Sequence, residues 1–225
     1  MGVLRYPFFF MATISYGTST ELDAVNSILM SVGESPVNTL TVQSPEVAIA
    51  QSTLRQVCRE VQAEGWVFNT ETEYPITLDS NNHCVVPENV LEIDINHFKH
   101  INDFHVVRKK DSDGITKLYD IIKHRFNFEN TSESKLYCDI IWMVDFEDLP
   151  QAFKDYTTVR ASRIASNRMV SDPKAAELIQ ADEGIARAIA VEYDTRVGDH
   201  NIFNDQQYRT NPASVYRPYQ VLQRR

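Results

Sequence analysis

Residues Leu149 to Gly198 decide how this chain is read: LPQAFKDYTTVRASRIASNRMV, then SD, then PKAAELIQADEGIARAIAVEYDTRVG. Two helical patterns follow each other with almost nothing between them. Pro150 suits a first helical position, because its missing N–H would be unsatisfied there anyway. Leu149, Phe153, Tyr156 and Ile164 fall on one stripe at helical spacing. Asp172 and Pro173 read as N-cap and first helical residue, and Gly198 as a left-handed cap. At 1.5 Å per residue the two helices run about 30 and 40 Å. So short a connection predicts an antiparallel hairpin.

The hairpin sorts its charges. Lys154, Arg160, Arg163 and Arg168 face Asp155 alone in the first pattern, a net of +3. The second carries Asp172, Glu177, Asp182, Glu183, Glu192 and Asp194 against Lys174, Arg187 and Arg196, a net of −3. One reading is two solvated faces, where surface pairs contribute little each. The other is a head-to-tail interface between identical subunits, of the kind that closes rings. Its candidate residues are Arg160, Arg163, Arg168, Glu177, Asp182 and Glu183.

Upstream, Thr20 is a candidate N-cap for a short helix through Leu22, Val25, Ile28, Leu29 and Val32, ended by Gly33. Ser44-Pro45-Glu46 opens a second helix with the stripe Val47, Ala50, Leu54, Cys58 and Val61, closed by Gly65. Trp66 follows at once, as an anchor to the helices. From Val67 to Val144 the period shifts to alternation. Candidate strands are 74–78, 84–86, 90–95, 104–109, 115–122, 125–128 and 136–144, with turns at Asp79–Asn82 and Asp111–Gly114. The expected fold is α+β: a helical bundle from two N-terminal and two long C-terminal helices, with an inserted antiparallel β domain and an extended C-terminal arm. Its parts are an N-terminal arm (1–19), the bundle (20–66 and 149–198), the β domain (67–148) and the arm (199–225).

That arm is aperiodic and basic, and carries Phe203, Tyr208, Arg209, Tyr216, Arg217 and Tyr219. Tyr and Arg are favoured interface anchors, so it reads as a segment that orders on a partner, against a disordered tail. At the other end, the apolar run from Leu4 to Ile14 is too short to span a bilayer. It is also a poor signal peptide, with Pro7 inside it. Met11 is a plausible alternative start.

Composition bounds the function. The chain has 225 residues, 43% hydrophobic and 24% charged, with a net charge of −9. Gripping nucleic acid needs clustered Lys and Arg, so this balance argues against it, and against a DNA-binding regulator. Cys58, Cys84 and Cys138 have no CxxC spacing and read as buried thiols in a reducing compartment. Asn130-Thr131-Ser132 matches a glycosylation sequon with nothing else to support secretion. Three histidines and two aspartates between Asp94 and His105 have metal-ligand chemistry, but a solvated loop explains them equally. His83-Cys84 are strand neighbours and so point to opposite faces. No GxSxG, P-loop, GxGxxG or HExxH is present. No catalytic residue, metal or cofactor is expected.

Three blocks resemble one family. Glu21 to Leu40 carries Val32-Gly33-Glu34, Pro36 and Leu40. Arg59 to Asn69 carries Gly65-Trp66, Phe68 and Asn69. Leu149 to Phe203 carries Leu149-Pro150, Phe153, Ala161-Ser162-Arg163, Asn167-Arg168, Glu192-Tyr193 and Asn201. Together they resemble the tail tubular protein A family of short-tailed podoviruses. The resemblance implies a non-enzymatic virion protein, a head-to-tail adaptor. It implies a twelve-fold homo-oligomeric ring between portal and tail nozzle proteins, supporting tail fibres, with DNA in transit through its centre and no membrane. The arm then docks on the portal, and the protein resides in the short tail of the virion, and in the host cytoplasm during assembly. The alternative is a hydrolase of host surface glycan carried by the β domain, motivated by the cluster at 94–105.

Overall fold

The computed structural model describes residues 17–41, 44–96, 99–100, 104–128, 134–169 and 173–198. The chain is α+β, with four α-helices among the described residues and antiparallel strands between the second and third. The expected C-terminal arm and most of the N-terminal one lie outside the described residues.

Helix α1 (Glu21–Ser31) starts at a reciprocal cap. Thr20 Oγ1 accepts from the Asp23 N–H, and the Asp23 carboxylate accepts from the Thr20 N–H at 3.0 Å. The Thr20 N–H and the Thr20 hydroxyl, both donating to it, hold the Asp23 carboxyl below its ordinary range. The helix ends through Gly33, at φ +83°, where the chain turns back so that the Glu34 N–H reaches Leu29 O. Helix α2 (Pro45–Gln62) opens on Pro45. Its whole expected stripe is buried, joined by Thr53, Val57 and Gln62.

Gly65 takes φ +74° to leave α2. A Cβ there would lie 2.9 Å from Ile141 Cδ1. Gly65→Ala is therefore expected to cost about 1–2 kcal/mol from the left-handed conformation alone, with more from the contact. A urea titration measures it.

The β part contains β1 (Thr70–Thr77), β2 (Val90–Ile95), β3 (Val106–Lys110), β4 (Thr116–Asp120) and β5 (Lys135–Trp142). One sheet has the order β1-β5-β2, all antiparallel, with Tyr74 opposite Cys138 and Ile93 opposite Ile140. The second is the ribbon β3-β4, with Val107 opposite Tyr119. Two expected strands are absent. Segments 84–86 and 125–128 make only single bridges, His83 to Asn127, Val85 to Lys117 and Asp120 to Arg125. Asp120 explains part of this: its Oδ1 accepts from the Ile122 and Lys123 N–H groups and turns the chain where a strand to residue 122 was expected. Ile76, Cys84, Ile95, Phe104, Leu118, Phe128 and Ile140 are among the residues that fill the β core.

Helices α3 (Gln151–Met169) and α4 (Pro173–Val197) follow. Pro150 sits one residue outside α3, as its cap: its carbonyl accepts from the Phe153 and Lys154 N–H groups. The Gly198 N–H still bonds Asp194 O. α3 packs on α1, α2 and α4, and so it buries more than a stripe, adding Lys154, Thr157, Ala161, Ser162, Ala165 and Ser166 to Phe153 and Tyr156. Lys154, counted by sequence among the sorted surface charges, is fully buried; its ammonium donates to Glu147 O at 2.7 Å and Thr18 Oγ1 at 3.1 Å. All four helices contribute to one helical core, which includes Val25, Leu54, Phe153, Tyr156 and Ala190.

Candidate functional site

The sorted charges of the hairpin meet partners within the chain. Arg163 is bonded to Glu183 of α4. Arg160 reaches Tyr156 Oη at 3.0 Å and Glu60 at 3.4 Å. Arg168 donates to Thr53 Oγ1 and to the Gln56 side-chain oxygen, both at 3.0 Å. Arg187, which sequence left out of the candidate set, grips Glu64 with both terminal nitrogens at 3.0 and 2.7 Å, and donates to Tyr156 Oη at 2.8 Å. The Glu64 carboxylate and the Tyr156 hydroxyl raise its pKa above the ordinary arginine value. Glu177 and Asp182 instead stand exposed on the outer side of α4.

That outer side carries what the sequence reading missed. Leu178, Ile185 and Ile189 are 71%, 62% and 53% exposed. They recur at i, i+7 and i+11, one row of a helix. The spacing is legible in the sequence; which face of the helix is exposed is not. α4 packs on α3 and presents this row away from it.

The histidine-aspartate segment does not gather. Asp94 is the next-to-last residue of β2 and accepts from the Ile95 N–H at 2.8 Å. His100 is buried and its Nε2 accepts from the Tyr137 N–H at 3.1 Å. His105 is exposed, and His97, Asn102 and Asp103 lie outside the described residues. Among the described residues no group of three or more His, Cys, Asp or Glu could hold a metal ion. The three cysteines are buried and free. Burial pushes the Cys58 thiol up, and a hydrogen bond with Cys84, with burial, pushes up that of Cys138; neither is an activated nucleophile.

Two concavities among the described residues bear on the site. A groove of about 490 Å³ runs between α2 and the segment leading out of β5, lined by Leu54, Cys58, Met143 and Phe146, by the basic Arg55 and Arg59 and by the acidic Glu21, Asp145 and Glu147. Another, of about 600 Å³, is lined by Phe68, Tyr74, Trp142, Glu71, Asp145 and Asp148 among others. Cys58, the thiol in the first, has its sulfur on the Gln62 amide at 3.2 Å and is held protonated by burial. No described helix is long and apolar enough to cross a membrane.

The ribbon tip is an ionic lock. Lys117 Nζ lies 2.7 Å from Asp111 Oδ2 and 2.6 Å from Asp113 Oδ2. Hydrogen bonds from Lys117 hold both carboxyls below the ordinary 3.8, and they in turn hold the ammonium above the ordinary 10.5. Lowered aspartates contribute stability that is present above their unfolded value and lost as pH falls through the folded one. The raised lysine contributes stability that is lost only as pH rises through its folded value. The ribbon is thus expected to be level from about pH 5 to about pH 9 and to weaken in acid below about pH 4. Urea midpoints across pH check this, and Lys117→Met should flatten the acid side.

A helical core, an antiparallel insert and an outward apolar row on α4 make up the described part of the chain. A family model described as tail tubular protein matches residues 22–200. The chain belongs to the tail tubular protein family. This is the family that the three sequence blocks resemble, and the match also runs through the β part, where no block was legible. The chain is similar to tail tubular protein A of Klebsiella phage KP34, with 30% identity over 131 residues. That alignment covers 58% of this chain and 63% of the phage KP34 protein, so it spans under two thirds of the relative. As a tail tubular protein, the chain is a structural component of a phage tail.

Proposed function

We propose that this tail tubular protein is the head-to-tail adaptor: a closed ring of identical subunits, twelve-fold as in the family, between portal and tail nozzle. DNA passes through the ring without being held, tail fibres attach to it, and it carries out no catalysis. The family match over 22–200 carries the reading. The net charge of −9 suits a duct that does not retain DNA. Within the ring, the α3–α4 hairpin builds the contact between subunits. Arg160, Arg163 and Arg168 act there from inside, by fixing α3 against α2 and α4, while Glu177 and Asp182 face the neighbour. Residues 67–148 form the inserted domain, and Phe203, Tyr208, Arg209, Tyr216, Arg217 and Tyr219 form the docking arm. The glycan-hydrolase alternative rested on residues 94–105. It is not carried forward, since Asp94 and His100 both accept from backbone amides.

Mass measurement with and without portal protein tests the proposal. Assemblies in either case support it; monomers in both contradict it. Deleting 201–225 is expected to leave the thermal unfolding transition unchanged and to abolish portal docking. Docking retained by the shortened chain would remove the arm from the account.

A further inference from the structure

The ring reading gives the N-terminal segment no task. Residues 1–16 lie outside the described residues, and their sequence is MGVLRYPFFFMATISY, with five aromatic residues, a single charge at Arg5 and no acid. The chain that follows them is held along residues 147–154. The buried Lys154 ammonium donates to Thr18 Oγ1 at 3.1 Å and to Glu147 O at 2.7 Å. Gln151 accepts from the Ser19 N–H on Oε1 at 3.0 Å and donates from Nε2 to Ser19 Oγ at 2.8 Å. The Glu21 N–H donates to Glu147 Oε1 at 2.8 Å.

Two of these residues, Glu21 and Glu147, also line the groove of about 490 Å³ beside α2. The N-terminal segment therefore joins the described chain at the edge of that groove. From Thr18 back to Phe10 an extended chain covers about 27 Å, ample for a return over it.

The groove suits this segment chemically. Leu54 and Cys58 in its wall are buried, whereas Met143 and Phe146 are only partly covered. Its charges almost balance, with Glu21, Asp145 and Glu147 against Arg55 and Arg59. Arg55 lies 3.4 Å from Glu21, and Asp145 is exposed. An apolar segment with one cation matches a partly apolar groove with one carboxylate in excess, and adjacent phenylalanines gain most from leaving water. The Arg-rich C-terminal segment leaves the described chain elsewhere. Asp194, in the last turn of α4, accepts from the Val67 N–H at 2.8 Å, next to Phe68 of the other concavity.

We infer that residues 5–10 turn back into the groove of their own copy, with the Phe8–Phe10 rings on Phe146 and Met143 and Arg5 against Asp145. The segment then straps the start of α1 to α2 and to the exit from β5.

Hydroxyl-radical footprinting of the full chain, read by mass spectrometry, tests this, with circular dichroism to confirm folding. Replacing Phe8, Phe9 and Phe10 together by Ser is expected to raise modification of Phe146 several-fold and to leave Met30, which is 57% exposed, unchanged as the reference. Arg5→Glu and Asp145→Lys should each raise it by less, and both in one chain should restore the wild-type value. Deleting 201–225 should not alter it. Equal modification of Phe146 in wild type and triple variant overturns the inference, and single charge changes without effect overturn the Arg5–Asp145 pairing. Protection of Phe146 that is lost on dilution places the segment on a second copy, which overturns docking in its own. Exposure of Phe146 by deleting 201–225 makes the C-terminal segment the occupant and overturns it too.

Discussion

Phe153→Ala is expected to cost about 3–5 kcal/mol of folding stability, the range for emptying a buried aromatic site. Phe153 is 1% exposed. Its ring centroid lies 4.8 Å from Trp66, 4.7 Å from Phe68 and 6.1 Å from Tyr193. One ring thus ties α3 to the turn after α2 and to α4. That turn leads into β1, so its partners cannot close on the cavity without moving the entry to the sheet. Denaturant unfolding measures the loss as a shifted midpoint at constant slope. A change under about 1 kcal/mol would mean that the site repacks and that Phe153 is not the keystone described here.

Gln62→Leu is expected to cost about 2–4 kcal/mol, from about 1–2 for each of two half-buried backbone groups left without a partner. Gln62 is fully buried in the last turn of α2. Its Nε2 donates to Val144 O at 2.9 Å and its Oε1 accepts from the Val144 N–H at 2.8 Å. One amide therefore closes both main-chain groups of the segment that leaves β5. Asn69 works beside it, donating from Nδ2 to Gln62 O at 3.0 Å and Trp142 O at 2.9 Å. Leucine keeps the volume, so the loss isolates the hydrogen bonds from packing. A neutral Gln62→Leu would show that these groups find water or another partner.

Local signals carried much of the fold. Thr20, Pro45, Gly33 and Gly65 mark the ends of α1 and α2, because caps and left-handed turns depend on residues a few positions away. Trp66 anchors as its position suggests, with Nε1 donating to Val61 O at 2.6 Å. Leu91, Ile93 and Ile95 alternate with Glu92 and Asp94, and β2 runs over them. What failed needed long-range knowledge. Lys154 looks solvated in sequence; only the approach of Thr18 and Glu147, from distant and adjacent segments, gives its ammonium partners out of water. Arg160, Arg163 and Arg168 read as a free basic face, because sequence does not show that Glu60, Glu183 and Gln56 lie opposite. Segments 84–86 and 125–128 have strand composition, but they bridge single residues, and pairing length is a tertiary property. The α4 row was present at helical spacing all along. Only the packing of α4 on α3 tells Leu178, Ile185 and Ile189 apart from a core stripe.

The most direct test of the adaptor account is an electron-microscopy image of the chain mixed with its portal protein, viewed down the symmetry axis. The account predicts a closed ring of subunits seated coaxially on the portal, with an open channel wide enough for duplex DNA. Portal rings that stay bare, or chains scattered on them without a shared axis, would contradict it.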